Sequence, residues 1–244
     1  MKIIGNVYLV GSGRIGLSHS FDCNVYLIDG GNELALIDAG VGIESEKIFA
    51  NIKEDGFDPI NIKKVILTHT HADHAGGCKN IREVLNCKIF VPMNEIYLLE
   101  KGTDEELGLD IAKESGFYSL DYEYPHCSAD VGVSNGDNIR VGGLQLKAIN
   151  VPGHSPGSTC YFLEHKGKHI LFTGDVLFYD GEIGLLNCCG SNLADYRKYI
   201  DRLANLAVDV LLPGHKLFTL ENGQQHINHA ISVLKKLSVP PTFL

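Results

Sequence analysis

Three histidines and an aspartate lie within six residues of the segment "LTHTHADHAGG" (67–77), directly after the apolar run "KKVIL". Alternation in an extended chain turns His69 and His71 to the same side. Asp73 and His74 follow where the chain is expected to turn into a helix. Imidazole and carboxylate groups are ligands for Zn²⁺, Fe and Mn²⁺ in proteins. The spacing therefore predicts two neighbouring pairs of metal ligands.

Three more residues of metal-ligand type follow apolar segments later in the chain. His154 stands in "VPGHSPGS", Asp175 in "FTGDVLF" and His215 in "LLPGH". Strand ends are rigid positions from which side chains can be aimed at a common point. A chance HxHxDH motif with surface histidines is the alternative, but it leaves these three residues without an explanation. We therefore predict that all seven side chains form one site.

These motifs resemble the metallo-β-lactamase superfamily, specifically its glyoxalase II-like dinuclear branch, over nearly the whole chain. The resemblance implies two divalent metal ions, with Zn²⁺ as the first expectation and Fe or Mn²⁺ as alternatives. It also implies a division of the ligands, in which Asp175 bridges both ions, His69, His71 and His154 bind the first, and Asp73, His74 and His215 bind the second.

Two metal ions about 3.5–4 Å apart can hold a bridging water and lower its pKa from 15.7 toward about 7. They also polarise a substrate carbonyl and stabilise the charge that develops on it. Asp73 is the expected catalytic residue, because one carboxylate oxygen can bind metal while the other orients the hydroxide. The predicted function is hydrolysis of small esters, thioesters or lactones by a metal-bridging hydroxide.

Differences between this chain and members of the superfamily narrow the choice of substrate. The β-lactamases of the superfamily replace the bridging aspartate, so Asp175 argues against antibiotic hydrolysis. Acyl-homoserine lactonases carry a tyrosine three residues after that aspartate, where this chain has Phe178. Hydroxyacylglutathione hydrolases carry a basic helical region near the C-terminus, and the residues after His215, up to "PPTFL", offer none. The resemblance therefore does not fix a glutathione thioester as the substrate.

Other functions stay open. A persulfide dioxygenase-type oxidoreductase needs one iron held by two histidines and an aspartate, which the chain could supply. An RNase Z-like phosphodiesterase shares the ligands, but a net charge of −9 and the lack of a basic run disfavour nucleic acid as a partner. A non-catalytic, metal-dependent binding module is a third alternative.

The elements that must position these residues alternate between strands and helices in both halves of the chain. Predicted strands lie at 6–10, 23–29, 33–38, 63–69, 87–92, 144–154, 159–165, 168–175 and 208–215, and predicted helices at 42–56, 76–86, 92–101, 192–206 and 222–237. This α/β pattern predicts two mixed β-sheets packed face to face with helices outside, in a single domain over residues 1–244. The resemblance implies the same arrangement, the αββα sandwich.

Residues 103–135 break the alternation with an acidic helical piece and an aromatic loop. This segment is either a surface excursion or a lid over the substrate pocket. Its Tyr118 and Tyr122, together with His19, Phe178 and Tyr179, are the candidate residues of the pocket. The remaining histidines, including His226 and His229, are expected at the surface.

Composition indicates the cellular compartment of the protein and the kind of partner it binds. Hydrophobic residues make up 44% of the 244 residues, and no run is long enough to span a membrane. Seven irregularly spaced cysteines are typical of buried, reduced thiols in a cytoplasmic protein. The N-terminal "MKIIGNVYLVGSGR" predicts a strand rather than a signal peptide. The expected partner is a small-molecule substrate, with homodimerisation through the aromatic segment as a further expectation.

Overall fold

A computed structural model describes residues 1–242, and the last two residues of "PPTFL", Phe243 and Leu244, lie outside the described residues. The strands of the first sheet, adjacent in space in the order of the chain, are β1 (Lys2–Ile4), β2 (Val7–Gly11), β3 (Val25–Asp29), β4 (Leu34–Ile37), β5 (Ile62–Ile66), β6 (Lys88–Pro92) and β7 (Val131–Val133). Strands β1 to β4 pair antiparallel, with β3 and β4 joined by the expected "GGN" hairpin, and β4 to β7 pair parallel.

The strands of the second sheet are β8 (Asn138–Val141), β9 (Leu144–Asn150), β10 (Thr159–His165), β11 (Lys168–Gly174) and β12 (Val210–Pro213), arranged in space as β12-β11-β10-β9-β8. Its pairs are antiparallel except for β11 with β12, which run parallel. The prediction of two mixed sheets is therefore confirmed.

The helices are α1 (Ser45–Glu54), α2 (Ala72–Ala75), α3 (Cys78–Leu85), α4 (Ile96–Lys101), α5 (Leu109–Glu114), α6 (Leu193–Tyr199) and α7 (Gly223–Leu234). Helices α1 and α3 pack on the outer face of the first sheet. Helices α6 and α7 pack on the outer face of the second. Side chains of both sheets, such as Tyr26 and Phe172, fill the layer between them. No helix in residues 1–242 is long and apolar enough to cross a membrane.

Local sequence explains the helix positions, with some corrections. In α1, Ile48 and Ile52 face the sheet as expected, but Ile43 is 48% exposed because the helix begins only at Ser45. Asn192 caps α6 by accepting a hydrogen bond from the Asp195 amide at 2.8 Å. This helix is shorter than predicted, since the chain continues as a 3-10 turn over Ile200–Leu203.

The irregular segment is also shorter than its predicted range of 103–135. Strand β7 occupies Val131–Val133 and forms the edge of the first sheet beside β6. Strands β7 and β8 have only three and four residues, which is too short for a clear alternation of apolar and polar side chains. Neither strand is predicted from the sequence for this reason. The residues of metal-ligand type all follow the carboxyl ends of strands β5, β9, β11 and β12, which lie in both sheets. The sandwich therefore brings the two halves of the chain together at one edge.

Candidate metal centre

Seven side chains converge where the carboxyl ends of strands β5, β9, β11 and β12 meet. One group, the three-histidine set, consists of His69, His71 and His154, whose ligand atoms lie within 4.8 Å of one another. A second group, the mixed set, consists of Asp73, His74 and His215 and meets the same limit.

Asp175 lies between these two groups. Its Oδ1 is 3.3 Å from His74 Nε2, and its Oδ2 is 3.7 Å from His154 Nε2 and 3.5 Å from His215 Nε2. One carboxylate thus faces histidines of both sets. The structure brings together every residue that the sequence predicted as a metal ligand.

Glycines at the strand ends allow this close approach. A Cβ at Gly214 would overlap Asp175 Oδ1 and lie 2.6 Å from His74 Cε1. A Cβ at Gly184 would overlap the Asp175 carbonyl oxygen and lie 2.7 Å from His154 Nδ1. At both positions, any larger residue would displace the cluster itself.

Hydrogen bonds fix the orientation of three histidine rings. His74 Nδ1 lies 2.8 Å from Asp38 Oδ2, and the Thr68 hydroxyl donates to the same oxygen at 2.8 Å. Because that hydroxyl proton is used, Thr68 Oγ1 can accept from His69 Nδ1 at 3.0 Å. His154 Nδ1 bonds the carbonyl oxygen of Gly184. With Nδ1 engaged in a hydrogen bond in each ring, Nε2 is the nitrogen that is directed into the cluster and available to a metal ion.

A buried carboxylate joins the two loops that supply the three-histidine set. Glu95 is fully buried, and its Oε2 accepts from the Thr70 amide at 2.6 Å and the Thr70 hydroxyl at 2.8 Å. Its Oε1 accepts from the Gly157 amide at 2.7 Å and from the Ser155 hydroxyl. Thr70 lies between His69 and His71, and Ser155 follows His154. Glu95 therefore holds the loop of His69 and His71 in a fixed position relative to the loop of His154.

Burial and neighbouring charges shift the pKa values of the cluster residues in different directions. Burial lowers the pKa of His69 well below its usual value, lowers that of His71, and lowers that of His154 to about 4. Burial also disfavours charge on His74, but the surrounding carboxylates and a thiol raise its pKa well above the usual value. Burial would raise the pKa of Asp175, but neighbouring imidazoles hold it below its usual range. The three-histidine set is thus neutral, as metal ligation requires.

The donor set fits divalent metal ions of the Zn²⁺, Fe and Mn²⁺ class. Imidazole nitrogens and carboxylate oxygens are the ligands that these ions accept. Asp175 Oδ1 is buried and lies 3.3 Å from His74 Nε2, without a hydrogen bond of good geometry among the described residues. A metal ion between these two atoms would satisfy both of them.

A cavity of about 480 Å³ opens beside the cluster. Five residues of the cluster line it: His71, Asp73, His154, Asp175 and His215. Apolar residues of the irregular segment also line it: Leu107, Leu109, Ile111, Ala112, Phe117 and Tyr118. The irregular segment therefore forms a wall of the cavity.

Of the five residues predicted to form the pocket, not all lie at the cavity. Tyr118 lines the cavity, and Tyr122 stacks on Tyr118 at 5.1 Å from behind. His19 contacts the lining residue Phe21, with ring centroids 5.2 Å apart, but does not line the cavity itself.

Phe178 and Tyr179 require a correction, because neither residue lines the cavity. Phe178 is fully buried in the protein interior. Tyr179 is turned toward α7, where its ring lies 4.4 Å from the ring of His226. His226 itself is buried rather than at the surface. The chain turns after Asp175, so residues that follow it in sequence leave the cluster.

The cysteines agree with the expectation of mostly buried thiols, except at Cys188 and Cys189. Five are buried free thiols: Cys23, Cys78, Cys87, Cys127 and Cys160. Cys188 is half-buried and lines the cavity, whereas Cys189 is exposed.

Sequence reasoning missed Asp38, Thr68 and Glu95. Asp38 had a detectable signal, because it follows the strand "ELALI" as a polar residue at a strand end, like the predicted ligands. Thr68 lies inside the histidine motif but carries no ligand chemistry. Glu95 had no signal, since a single glutamate near the start of a helix is normally solvated.

Comparisons with known proteins agree with this geometry. The profile of the metallo-beta-lactamase superfamily matches residues 20–215. The acyl-coenzyme A thioesterase MBLAC2 of Gallus gallus is 31% identical over 209 residues, which cover 79% of this chain and 72% of that protein. The hydroxyacylglutathione hydrolase GloC of Haemophilus influenzae is 30% identical over 163 residues, which cover 66% of this chain and 70% of that protein.

Solved structures show the same fold. The subclass B3 metallo-beta-lactamase BJP-1 of Bradyrhizobium japonicum superposes with a TM-score of 0.74 at 23% identity. The match covers 96% of this chain and 90% of that one.

Proposed function

Because the chain belongs to the metallo-beta-lactamase superfamily, we propose that it is a metal-dependent hydrolase of small thioesters and esters, with lactones as further candidate substrates. The observation that carries this proposal is the convergence of seven metal-ligand side chains at the end of an open cavity. A buried cluster of this kind beside a substrate-sized cavity is typical of an active site.

The residues that would hold the metal ions follow from the two sets. The three-histidine set would bind one ion, the mixed set would bind the other, and Asp175 would bridge them. Divalent cations bound there supply a Lewis acid for the substrate carbonyl and activate the attacking water. Zn²⁺ is our first candidate, with Fe and Mn²⁺ as alternatives.

The chain's own residues have three tasks in this reaction. Asp38, Thr68 and the Gly184 carbonyl hold the imidazole rings with Nε2 directed into the cluster. Glu95 joins the two loops that supply the three-histidine set. Asp73 lines the cavity and lies 2.9 Å from His215 Nε2 through Oδ2. We therefore assign Asp73 the role of orienting the attacking water and accepting its proton.

Thioesters rank first among the substrates, because two relatives at about 30% identity carry thioesterase or thioester hydrolase names. A small-molecule substrate and a cytoplasmic location, which the free thiols favour, belong to the same proposal. Homodimerisation stays a prediction. Persulfide oxidation and RNase Z-like phosphodiester cleavage are alternatives, which oxygen uptake with glutathione persulfide and turnover of bis(p-nitrophenyl) phosphate would detect.

The test combines metal content with turnover. The protein is loaded with Zn²⁺, Fe²⁺ or Mn²⁺, and hydrolysis of an acetyl thioester, S-lactoylglutathione and a lactone panel is measured. We expect Asp73→Asn to reduce kcat by about 10²–10⁴-fold, because the carboxylate handles the proton of the water. Asp121→Asn is the control, since Asp121 is exposed and lies outside the cavity lining.

Two outcomes would overturn the proposal. One is a metal-loaded protein that hydrolyses no substrate of the panel. The other is an Asp73→Asn variant with undiminished turnover. Iron-dependent oxygen uptake with glutathione persulfide would favour the oxidoreductase alternative instead.

A further inference from the structure

The cavity is lined on one hand by residues of the metal-ligand cluster and on the other by mostly apolar side chains of the irregular segment. We propose that this apolar wall is an acyl-binding site, which receives a hydrocarbon chain of several carbons while the scissile carbonyl lies at the cluster. This inference rests on the proposed hydrolase function and names the substrate class: thioesters or esters of apolar acyl groups.

Helix α5 and its flanks present one face to the cavity. Leu109, Ile111 and Ala112 line it, whereas the charged residues Asp110 and Lys113 of the same helix do not. The segment is acidic overall in sequence, yet no charged side chain from residues 103–123 lines the cavity. The charged residues of the lining outside the cluster, Arg14, Asp22 and Lys216, all belong to other segments. Against the wall formed by the irregular segment a charged group of a substrate would find no ionic partner, whereas an acyl chain would be removed from water there.

Packing holds the apolar wall in place. Leu107 and Leu109 are buried, and the Phe21 ring lies 5.5 Å from Phe117 and 5.3 Å from Tyr118. Behind this group, the Tyr122 hydroxyl donates to the carbonyl oxygen of Val41 at 3.1 Å. A wall that is already packed before binding has little ordering cost when an acyl chain enters.

The size of the cavity agrees with such a ligand. A volume of about 480 Å³ lies within the range of small-molecule sites. Burial of each further methylene group is expected to strengthen binding about fourfold, until the chain outgrows the cavity. The site should therefore select among acyl groups by length rather than by charge.

The test measures binding separately from turnover. Alkyl thioethers of N-acetylcysteamine, from ethyl to decyl, mimic the thioesters but lack the thioester carbonyl that the enzyme would hydrolyse. Their affinities for the full chain, metal-free and Zn²⁺-loaded, are measured by titration calorimetry. In parallel, kcat/KM is measured for the matching acyl thioesters from acetyl to decanoyl.

The decisive variants alter lining residues that are partly exposed, so that the fold does not depend on them. Ile111 is 42% exposed and Phe117 is 46% exposed. We expect Ile111→Gln and Phe117→Gln each to weaken binding of the octyl thioether about tenfold, with little change for the ethyl compound. Leu120→Gln is the matched control, since Leu120 is 79% exposed and does not line the cavity.

Affinity that rises with chain length in the parent protein and falls in both variants supports the acyl site. Equal affinity for short and long thioethers overturns it, as does an equal loss in the Leu120→Gln control. Turnover reports separately on the proposed function. Hydrolysis of the acetyl thioester without any dependence on chain length would preserve the hydrolase proposal while rejecting the acyl site.

Discussion

The carboxylate of Glu95 accepts four hydrogen bonds, two from Thr70 and one each from Ser155 and Gly157. These donors belong to the two loops that carry the three-histidine set, so a single buried group fixes the distance between His154 and the other two histidines. Partners of this kind that orient metal ligands are worth about 10–100-fold in metal affinity or activity.

We therefore predict that Glu95→Gln weakens Zn²⁺ binding at the three-histidine set about tenfold or more. The amide NH₂ group would face the donors of Thr70 or those of Ser155 and Gly157. At least one of the two loops would therefore lose hydrogen bonds to residue 95. Calorimetric titration and the absorption spectrum of the Co²⁺ form would detect the change. Lower kcat with little change in KM for a short acyl thioester is the expected kinetic result.

The same substitution at Glu100 provides the control for Glu95. Glu100 accepts one hydrogen bond, from the Ala129 amide at 3.0 Å, and does not touch the cluster loops. If Glu95→Gln and Glu100→Gln changed metal binding equally, Glu95 would have only a general structural role.

At the scale of single elements, the ends of strands β11 and β12 must come close enough for Asp175 to meet His74 and His215. Gly214 permits this approach, because a methyl group there would overlap the Asp175 carboxylate. The Pro-Gly-His sequence at this strand end thus combines a candidate metal ligand, His215, with the space that its approach to the cluster needs.

Gly214→Ala should destabilise the protein by about 1–3 kcal/mol, the usual cost of overpacking, and weaken metal binding. Urea denaturation and metal titration would measure both effects. Gly143→Ala is the comparison, since the nearest atom to a Cβ at Gly143 is a backbone oxygen 3.8 Å away. Unchanged metal affinity in Gly214→Ala would show that the loop relaxes around the methyl group.

Helix α7 is tied to the 3-10 turn at Tyr179–Gly181 through His226. The Asp180 amide donates to His226 Nδ1 at 2.9 Å, so this nitrogen must be unprotonated. Burial lowers the pKa of His226, although Asp180 acts in the opposite direction and His229 adds to the lowering. Protonation would place an N–H group against the amide that it now accepts from.

The sign of the pH effect follows from this lowered pKa. The unfolded chain takes up a proton on this histidine near pH 6.5, but the folded protein does so only at lower pH. The His226 contribution to the free energy of unfolding is therefore fully present above about pH 6.5 and is lost as the pH falls toward the folded-state pKa.

His226→Asn keeps an acceptor near the Nδ1 position without a titrating group. We expect its unfolding free energy to fall less steeply than that of the parent protein between pH 7 and 5, measured by urea denaturation. His169→Asn is the control, because His169 lies in β11 and is not among the groups that shift the His226 pKa. Parallel pH profiles for the parent protein and His226→Asn would contradict the prediction.

At the scale of the whole molecule, the cluster connects the two halves of the sandwich. His69 and His71 follow a strand of the first sheet, whereas Asp175 and His215 follow strands of the second. A metal ion that binds ligands from both sheets is bound only by the folded chain, so its binding free energy adds to the stability of the fold.

Metal binding should therefore raise the thermal unfolding temperature. At a free metal concentration of about 100 times Kd, one site adds about 2.7 kcal/mol, or about 5–10 °C for a protein of this size. Differential scanning calorimetry with Zn²⁺ and with a chelator measures the shift. Asp175→Asn should show a smaller shift, and an unfolding temperature independent of metal would contradict a cluster that joins the sheets.

The sequence by itself determined the alternation of strands and helices, the α/β class and the seven side chains of metal-ligand type that converge in the fold. These features depend on local periodicity and on the chemistry of single residues, which can be read directly from the order of the chain. His69, His71, Asp73 and His74 were identifiable because they are close in sequence, and the other three because each follows an apolar strand.

Only the tertiary structure decided which residues surround that cluster. Glu95 and Asp38 reach it across 25 and 36 residues of chain, to Thr70 and His74. Phe178, only three residues from Asp175, leaves it because the backbone turns. The apolar wall likewise depends on how residues 107–118 fold over the cavity. Such contacts arise from packing between distant segments, for which a single sequence holds no local signal.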